Sequence, residues 1–317
     1  MKKLTLLSLM VVLLFSVSCV KPDVFEPVLK SFTNTVAFYM STGDGVYDSQ
    51  IIGTANDIAV DNAGRMYITD TFDRVVVLDS DGNYVRIIGS PGTGDGELNN
   101  PCGIALDKNG NVYVTSYFGV NHVTKYSNTG TFLMKISDAA HIENPTGITV
   151  DDSGKIYVAG TDSNNVVVWD KNGNFLLEIG GTSGTGNGEF IQTCGVAVDQ
   201  FGRIFVSDFN RDDIQVFDAS GKFLYKIGGL GTEVGEFTDP TNVFIDKIGY
   251  LYVSDSNNDR VQKMRPDGTN VITFGEPGTA NNQFQQIFGL FVDDNLSIYV
   301  VDEVDNDHIK IFKQGFK

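Results

Sequence analysis

One phrase occurs six times in this chain, and that recurrence limits what it can fold into. Residues 58–70 read IAVDNAGRMYITD. The phrase returns as IALDKNGNVYVTS from Ile104, ITVDDSGKIYVAG from Ile148, VAVDQFGRIFVSD from Val196, VFIDKIGYLYVSD from Val243 and LFVDDNLSIYVVD from Leu290. The marker aspartates Asp61, Asp107, Asp151, Asp199, Asp246 and Asp293 are 46, 44, 48, 47 and 47 residues apart. Short alternating strands and glycine turns at such a period predict a radial array of blades.

Each copy reads as four strands. In the fourth, Val196-Ala197-Val198 is an inner strand, 203–207 the second, 214–217 the third and 223–227 the fourth. Asp199 to Gly202 and Asp218 to Gly221 form tight turns. The last copy lacks the first-turn glycine and has Leu296 there, so Asn295 is expected to take the left-handed conformation. The inward aromatic column, Tyr67, Tyr113, Tyr157, Phe205, Tyr252 and Tyr299, reads as core between neighbouring blades.

Counting strands closes the ring. The sixth copy ends after three, and residues 34–40, NTVAFYM, supply a fourth. An N-terminal strand completing the last blade removes an open edge. The fold class expected is all-β: a six-bladed β-propeller of four-stranded antiparallel blades spanning residues 34–317.

The motifs P-x-G-I-A-V-D, G-x-[IV]-Y-V-x-D and [ND]-x-[IV]-x-[VK]-[FYLM] resemble the NHL repeats over about residues 55–317. The resemblance implies a six-bladed propeller. It does not specify a function, because such propellers serve as sensors, scaffolds and lyases.

The N-terminus reads as an address. Met1-Lys2-Lys3 is basic and Leu4 to Phe15 apolar, with small residues before Cys19. Residues 1–18 are expected to be a signal peptide, Cys19 a lipidated residue after a lipobox-like sequence, and 19–33 a tether. The departure from the usual lipobox is Ser16, and ordinary secretion is the alternative. The expected location is the bacterial cell envelope, outside the cytoplasm. The formal charge of −17, near −19 without Lys2 and Lys3, argues against a nucleic-acid partner.

Binding is expected on the face that carries the links between blades and the loops joining second to third strands, where lengths vary. One loop column reads Asp70, Ser116, Gly160, Asp208, Asp255, Asp302. A second reads Asp73, Asn121, Asn164, Asp212, Asp259, Asp307, and is expected to cap backbone amides. Arg74 and Arg260 are expected to pair with Asp70 and Asp255. Blades 2 and 3 lose the first aspartate, and Tyr117 and Phe118 stand beside that gap. With Phe72 and Phe209 they are the candidate contacts for a protein, peptide or glycan.

The second candidate is the axis, through Asn56, Asp57, Thr146, Thr241 and Asn242. Asp57 and Asn242 stand where other blades have glycine. A cofactor is not expected. The one candidate ion is an axial cation on this pair, which falls short of the six or more oxygens calcium takes. Cys102 and Cys194 precede axial glycines in blades 2 and 4. A whole blade separates them, so they are expected as free, buried thiols.

The family also contains zinc lyases of the peptidyl-hydroxyglycine type, but His122, His141 and His308 are spaced unsuitably for one zinc. Lyase- or lactonase-like axial chemistry remains the alternative to binding. The glycine-rich stretch 184–188 reads as a link rather than a phosphate loop, having no following lysine or helix.

Overall fold

The computed structural model describes residues 36–41 as a strand, residues 52–302 and residues 309–314. The leader, Cys19, the tether, Asp307 and His308 lie outside the described residues.

Six four-stranded antiparallel sheets are present. Blade 1 comprises Ala55–Val60, Met66–Asp70, Arg74–Leu78 and Tyr84–Ile88 from the axis outward. The inner strands of blades 2 to 6 are Pro101–Leu106, Pro145–Val150, Thr193–Val198, Pro240–Ile245 and Ile287–Val292. The closing strand is Val36–Ser41. It pairs antiparallel with Ile309–Gln314, from Val36 opposite Gln314 to Ser41 opposite Lys310. The ring is therefore shut by the two ends of the chain.

The core lies between blades. One cluster joins Ile58, Ile68 and Val76 of blade 1 to Val301, Ile309 and Ile311 of blade 6. Another joins Tyr67 and Val75 to Ile104, Val112 and Tyr126 of blade 2. Alternation in each strand places one apolar row against each neighbouring blade, so a single sheet cannot bury both faces alone. All six aromatics of the inward column are buried.

The marker aspartates explain their own recurrence. Asp151 Oδ1 accepts the amides of Ser153 and Lys155, while Oδ2 accepts the Tyr157 hydroxyl at 3.1 Å. Tyr67, Tyr113, Tyr252 and Tyr299 donate to their own turn aspartates in the same way. Blade 4 has Phe205, and there Arg203 Nε reaches Asp199 at 2.7 Å instead. The turn in blade 6 departs from expectation. Leu296 itself takes the left-handed conformation, at φ 64°. Its side chain is buried and its carbonyl accepts from Gln314. Packing thus offsets a backbone strain that Asn295 was expected to relieve.

Candidate functional site

The inner strands enter from the link face, and their first three residues build the axial mouth. At each entry the pairing with the second strand skips register, as between Pro101 and Ile104. In blades 1, 2 and 4 a second-strand hydroxyl fills the break. Thr115 Oγ1 accepts the Gly103 amide at 2.8 Å and donates to the Thr146 carbonyl of the next blade at 2.7 Å. Thr69 does the same between Asp57 and Cys102, and Ser207 between Gly195 and Thr241.

These sutures absorb part of the expected axial set. Thr146 donates to the Cys194 carbonyl, Thr241 to the Ile287 carbonyl, and Asn56 Nδ2 to the Pro101 carbonyl. Asn56 Nδ2 and the hydroxyls of Thr146 and Thr241 thus stitch blade to blade. These bonds have a physical reason: carbonyls buried between blades need donors, and the nearest side chains supply them.

Below them lies a collar of Asp57, Gly103, Gly147, Gly195, Asn242 and Gly289. Glycine is required there by close approach. A Cβ on Gly103 would stand 2.3 Å from the Thr146 carbonyl oxygen, and one on Gly289 would stand 2.7 Å from the Asp57 Cα. Only Asp57 and Asn242 project side chains. Asn242 Nδ2 donates to Asp57 Oδ1 at 3.2 Å, and the Ile104 amide donates to Oδ2 at 3.1 Å. Burial pushes the Asp57 carboxyl up to about 7, against the lowering effect of these donors and of the Ile58 and Leu290 amides. The innermost strand of a blade has one unpaired edge, so its amides face the axis. Asp57 gathers several of them. A carboxylate surrounded by N–H donors does not suit a cation, which needs converging oxygens.

Beneath the collar, an axial channel of about 230 Å³ is lined by all six inner strands, among them Leu106, Val150, Val198 and Phe291. Cys102 and Cys194 are free at the mouth and retain some accessible surface, so they are less buried than expected. Desolvation, with a contribution from the Asp57 charge, pushes the Cys102 thiol up to about 12 and leaves it unreactive as a thiolate. Among the described residues no group of three histidine, cysteine or acidic side chains is placed to hold a metal ion. His122 is buried in blade 2, and His141 stacks on Phe175 at 4.1 Å.

On the loop face, Phe118 is 66% exposed and Phe72 51% exposed. Phe118 has φ 56°, a left-handed conformation unusual for a bulky residue. It meets the half-buried Tyr117 edge-on, with ring centroids 4.9 Å apart. The Arg74 guanidinium lies 5.0 Å from the Phe72 ring. Phe72 belongs to blade 1, next to the blade that carries Tyr117 and Phe118. Phe209 is half-buried in blade 4 and does not join them.

The loops around these rings are tied down. Asp70 pairs with Arg74 and Asp255 with Arg260, as expected. The second column caps amides of the following blade's link: Asp73 that of Asn100, Asn121 that of Asn144, Asp212 that of Asp239, Asp259 that of Gln286. Sequence reasoning missed two further ties. Glu97, Glu189 and Glu236 fold back onto amides of their own glycine-rich links. Arg211 and Arg260 each donate to three link carbonyls. The acid four residues before the inner strand in three of the links, Glu97, Glu189 and Glu236, was the available signal.

This architecture is also what comparison finds. The model of a family described as a 6-bladed beta-propeller, DUF5128, matches residues 47–138, 133–203 and 199–265. The chain belongs to that family. No curated protein matches this DUF5128 propeller in sequence. Among solved structures, an auxiliary nutrient binding protein from Bacteroides thetaiotaomicron is similar at 14% identity and TM-score 0.64, covering 87% of this chain and 75% of that one. A gluconolactonase from Xanthomonas campestris is similar at 14% identity and TM-score 0.63, covering 84% and 88%. Virginiamycin B lyase from Staphylococcus aureus is similar at 13% identity and TM-score 0.58, covering 89% of each chain. At these identities the DUF5128 chain shares their fold, and a shared propeller carries no activity with it.

Proposed function

We propose that this propeller is a binding protein that captures a protein, peptide or glycan on its loop face, with Tyr117 and Phe118 as the anchor. The observation that carries the reading is Phe118, a large apolar ring held out to solvent by a strained backbone at the tip of an otherwise tied loop. Strain retained at an exposed aromatic is a mark of function, since folding alone would select a small residue there. Phe72, exposed on the loop face of the adjacent blade, is the further candidate contact. The similar frame of the nutrient binding protein supports the reading by analogy of fold.

An axial enzyme is the weaker reading. Asp57 titrates near neutrality, as a general acid or base should. Its two oxygens, however, are engaged by Asn242 and Ile104. Asn56 Nδ2 and the hydroxyls of Thr146 and Thr241 around it donate to backbone carbonyls as well.

The proposal includes the N-terminal address: processing before Cys19, lipid on its thiol, and display from a bacterial envelope membrane. The recurring motifs support assignment of the blades to the NHL type. Screening the purified chain on arrays of peptides and envelope glycans, beside the Tyr117→Ala/Phe118→Ala variant, tests the binding face. Loss of the retained spots in the variant is expected, and an identical pattern overturns the anchor. Intact mass of the membrane-extracted protein and of Cys19→Ser tests the lipid.

A further inference from the structure

Two blades carry lysine where four carry valine or isoleucine. The position is the third-strand residue opposite the inward aromatic. Lys125 faces Tyr113 in blade 2 and Lys263 faces Tyr252 in blade 5, while Val77, Val168, Val216 and Ile311 occupy it elsewhere. Both ammonium groups rest on the tyrosine ring, 4.7 Å from the centroid of Tyr113 and 5.1 Å from that of Tyr252. Both tyrosine hydroxyls donate to the turn aspartate, at 3.2 Å to Asp107 and 2.9 Å to Asp246. The two sites share this lysine, tyrosine and aspartate and lie on the turn face, opposite the loops; Lys263 also rests 4.4 Å from the Tyr250 ring, where blade 2 has Asn111.

They differ in what fills them. At blade 5 the neighbouring blade supplies Gln314. Its carbonyl oxygen accepts from Lys263 Nζ, and its amide nitrogen donates to Tyr252 Oη and to the Leu296 carbonyl, each at 2.9 Å. At blade 2 the residue at the corresponding place in the next blade is Lys171, two past Trp169 as Gln314 is two past Phe312. Lysine has no acceptor to offer Lys125. Lys125 Nζ makes no hydrogen bond among the described residues, and its ion pair with Asp107 is long, at 3.7 Å. A niche of about 320 Å³ remains, lined by Tyr113, Lys125, Gly154 and Lys171 and by the turn carboxylates Asp107, Asp151 and Asp152. Gly154 stands in the turn where blade 6 has Leu296, and both are left-handed.

We propose that the niche between blades 2 and 3 binds a primary carboxamide, the group of asparagine and glutamine side chains, held as Gln314 is held at blade 5. Its oxygen accepts from Lys125, and its nitrogen donates to Tyr113 Oη and the Gly154 carbonyl. A carboxylate would set an oxygen against those two acceptors and beside Asp107 and Asp151; an ammonium would suit those aspartates but would offer Lys125 no acceptor. The niche is larger than one carboxamide, so it admits the chain that bears the group.

The test is a titration of the ¹⁵N-labelled full chain with propionamide, propionate and the tripeptide Gly-Gln-Gly. Propionamide is expected to shift the amides of Gly154 and Asn109, and propionate is not. A shift with the tripeptide as well assigns the site to a peptide side chain, and a shift with propionamide alone assigns it to a small amide. Lys125→Val, which restores the residue of three other blades, is expected to weaken binding about tenfold or more. Lys171→Gln, which supplies an internal amide, is expected to do the same by filling the niche. No shift up to about 100 mM propionamide, an equal response to propionate, or undiminished binding by Lys125→Val overturns the proposal.

Discussion

Asp57 and Asn242 stand 185 residues apart in the chain and meet at the axis, with Asn242 Nδ2 donating to Asp57 Oδ1 at 3.2 Å. Blade 6 lies between their blades and contributes Gly289, where any Cβ would strike Asp57. The contact therefore exists only because three blades converge and one of them has no side chain there.

The first expectation concerns pH. Burial raises the folded Asp57 carboxyl from 3.8 to about 7. Between these values the folded protein keeps a proton that the unfolded chain releases. The stabilisation is complete below pH 3.8 and fades as pH rises through 7. Asp57→Asn removes this titration. Urea denaturation of both proteins should show the wild type losing up to about 4 kcal/mol relative to the variant between pH 4 and pH 8. Parallel curves would show that the carboxyl is not desolvated as described.

A second expectation separates crowding from conformation. Gly103→Ala places a Cβ against the backbone of blade 3 and should cost well over about 2 kcal/mol, or prevent folding. Gly119→Ala meets nothing within 4 Å but sits at φ 76°. It should cost only about 1 kcal/mol. Melting temperatures rank the two, and comparable losses would contradict the tight collar.

At Phe118 stability and function should part. Phe118→Gly relieves the left-handed strain and should leave the melting temperature unchanged or raise stability by up to about 1 kcal/mol. The same change should abolish retention on the arrays. A marked loss of stability would mean that the ring is structural.

The ring closure can be opened from either partner. Removing residues 36–41 exposes the edge of Ile309–Gln314 and should lower the melting temperature and promote association through that edge. Within the same blade, Lys310 and Asp302 form a fully buried ion pair at 2.7 Å. Lys310→Ala strands the carboxylate and should cost about 3–5 kcal/mol. An unaltered midpoint in either experiment would argue that the last blade is not held by these contacts.

Much of the fold was legible because repetition multiplies a weak signal. One copy of Asp151-x-x-Gly154-x-x-Tyr157 is a plausible hairpin, and recurring copies leave few alternatives. The aspartate-to-tyrosine bond was not legible as a bond, although its spacing was visible in every blade except the fourth. The axial site was half legible. Asp57 and Asn242 stood out against glycine, but nothing local showed that Asn56, Thr146 and Thr241 would be consumed by carbonyls of the next blade. Leu296 broke the turn pattern visibly, and which residue would carry the strain depended on where its side chain was buried.

The amino-acid order by itself determined the number of blades, the strands within each and the borrowing of the last strand from the N-terminus, because alternation and turn chemistry act over a few residues. Tertiary structure decided what those blades present. The carboxyl of Asp57, the carboxamide of Gln314 and the open niche beside Lys125 owe their environments to neighbouring blades, and burial, close approach and hydrogen-bond supply are properties of the assembled ring.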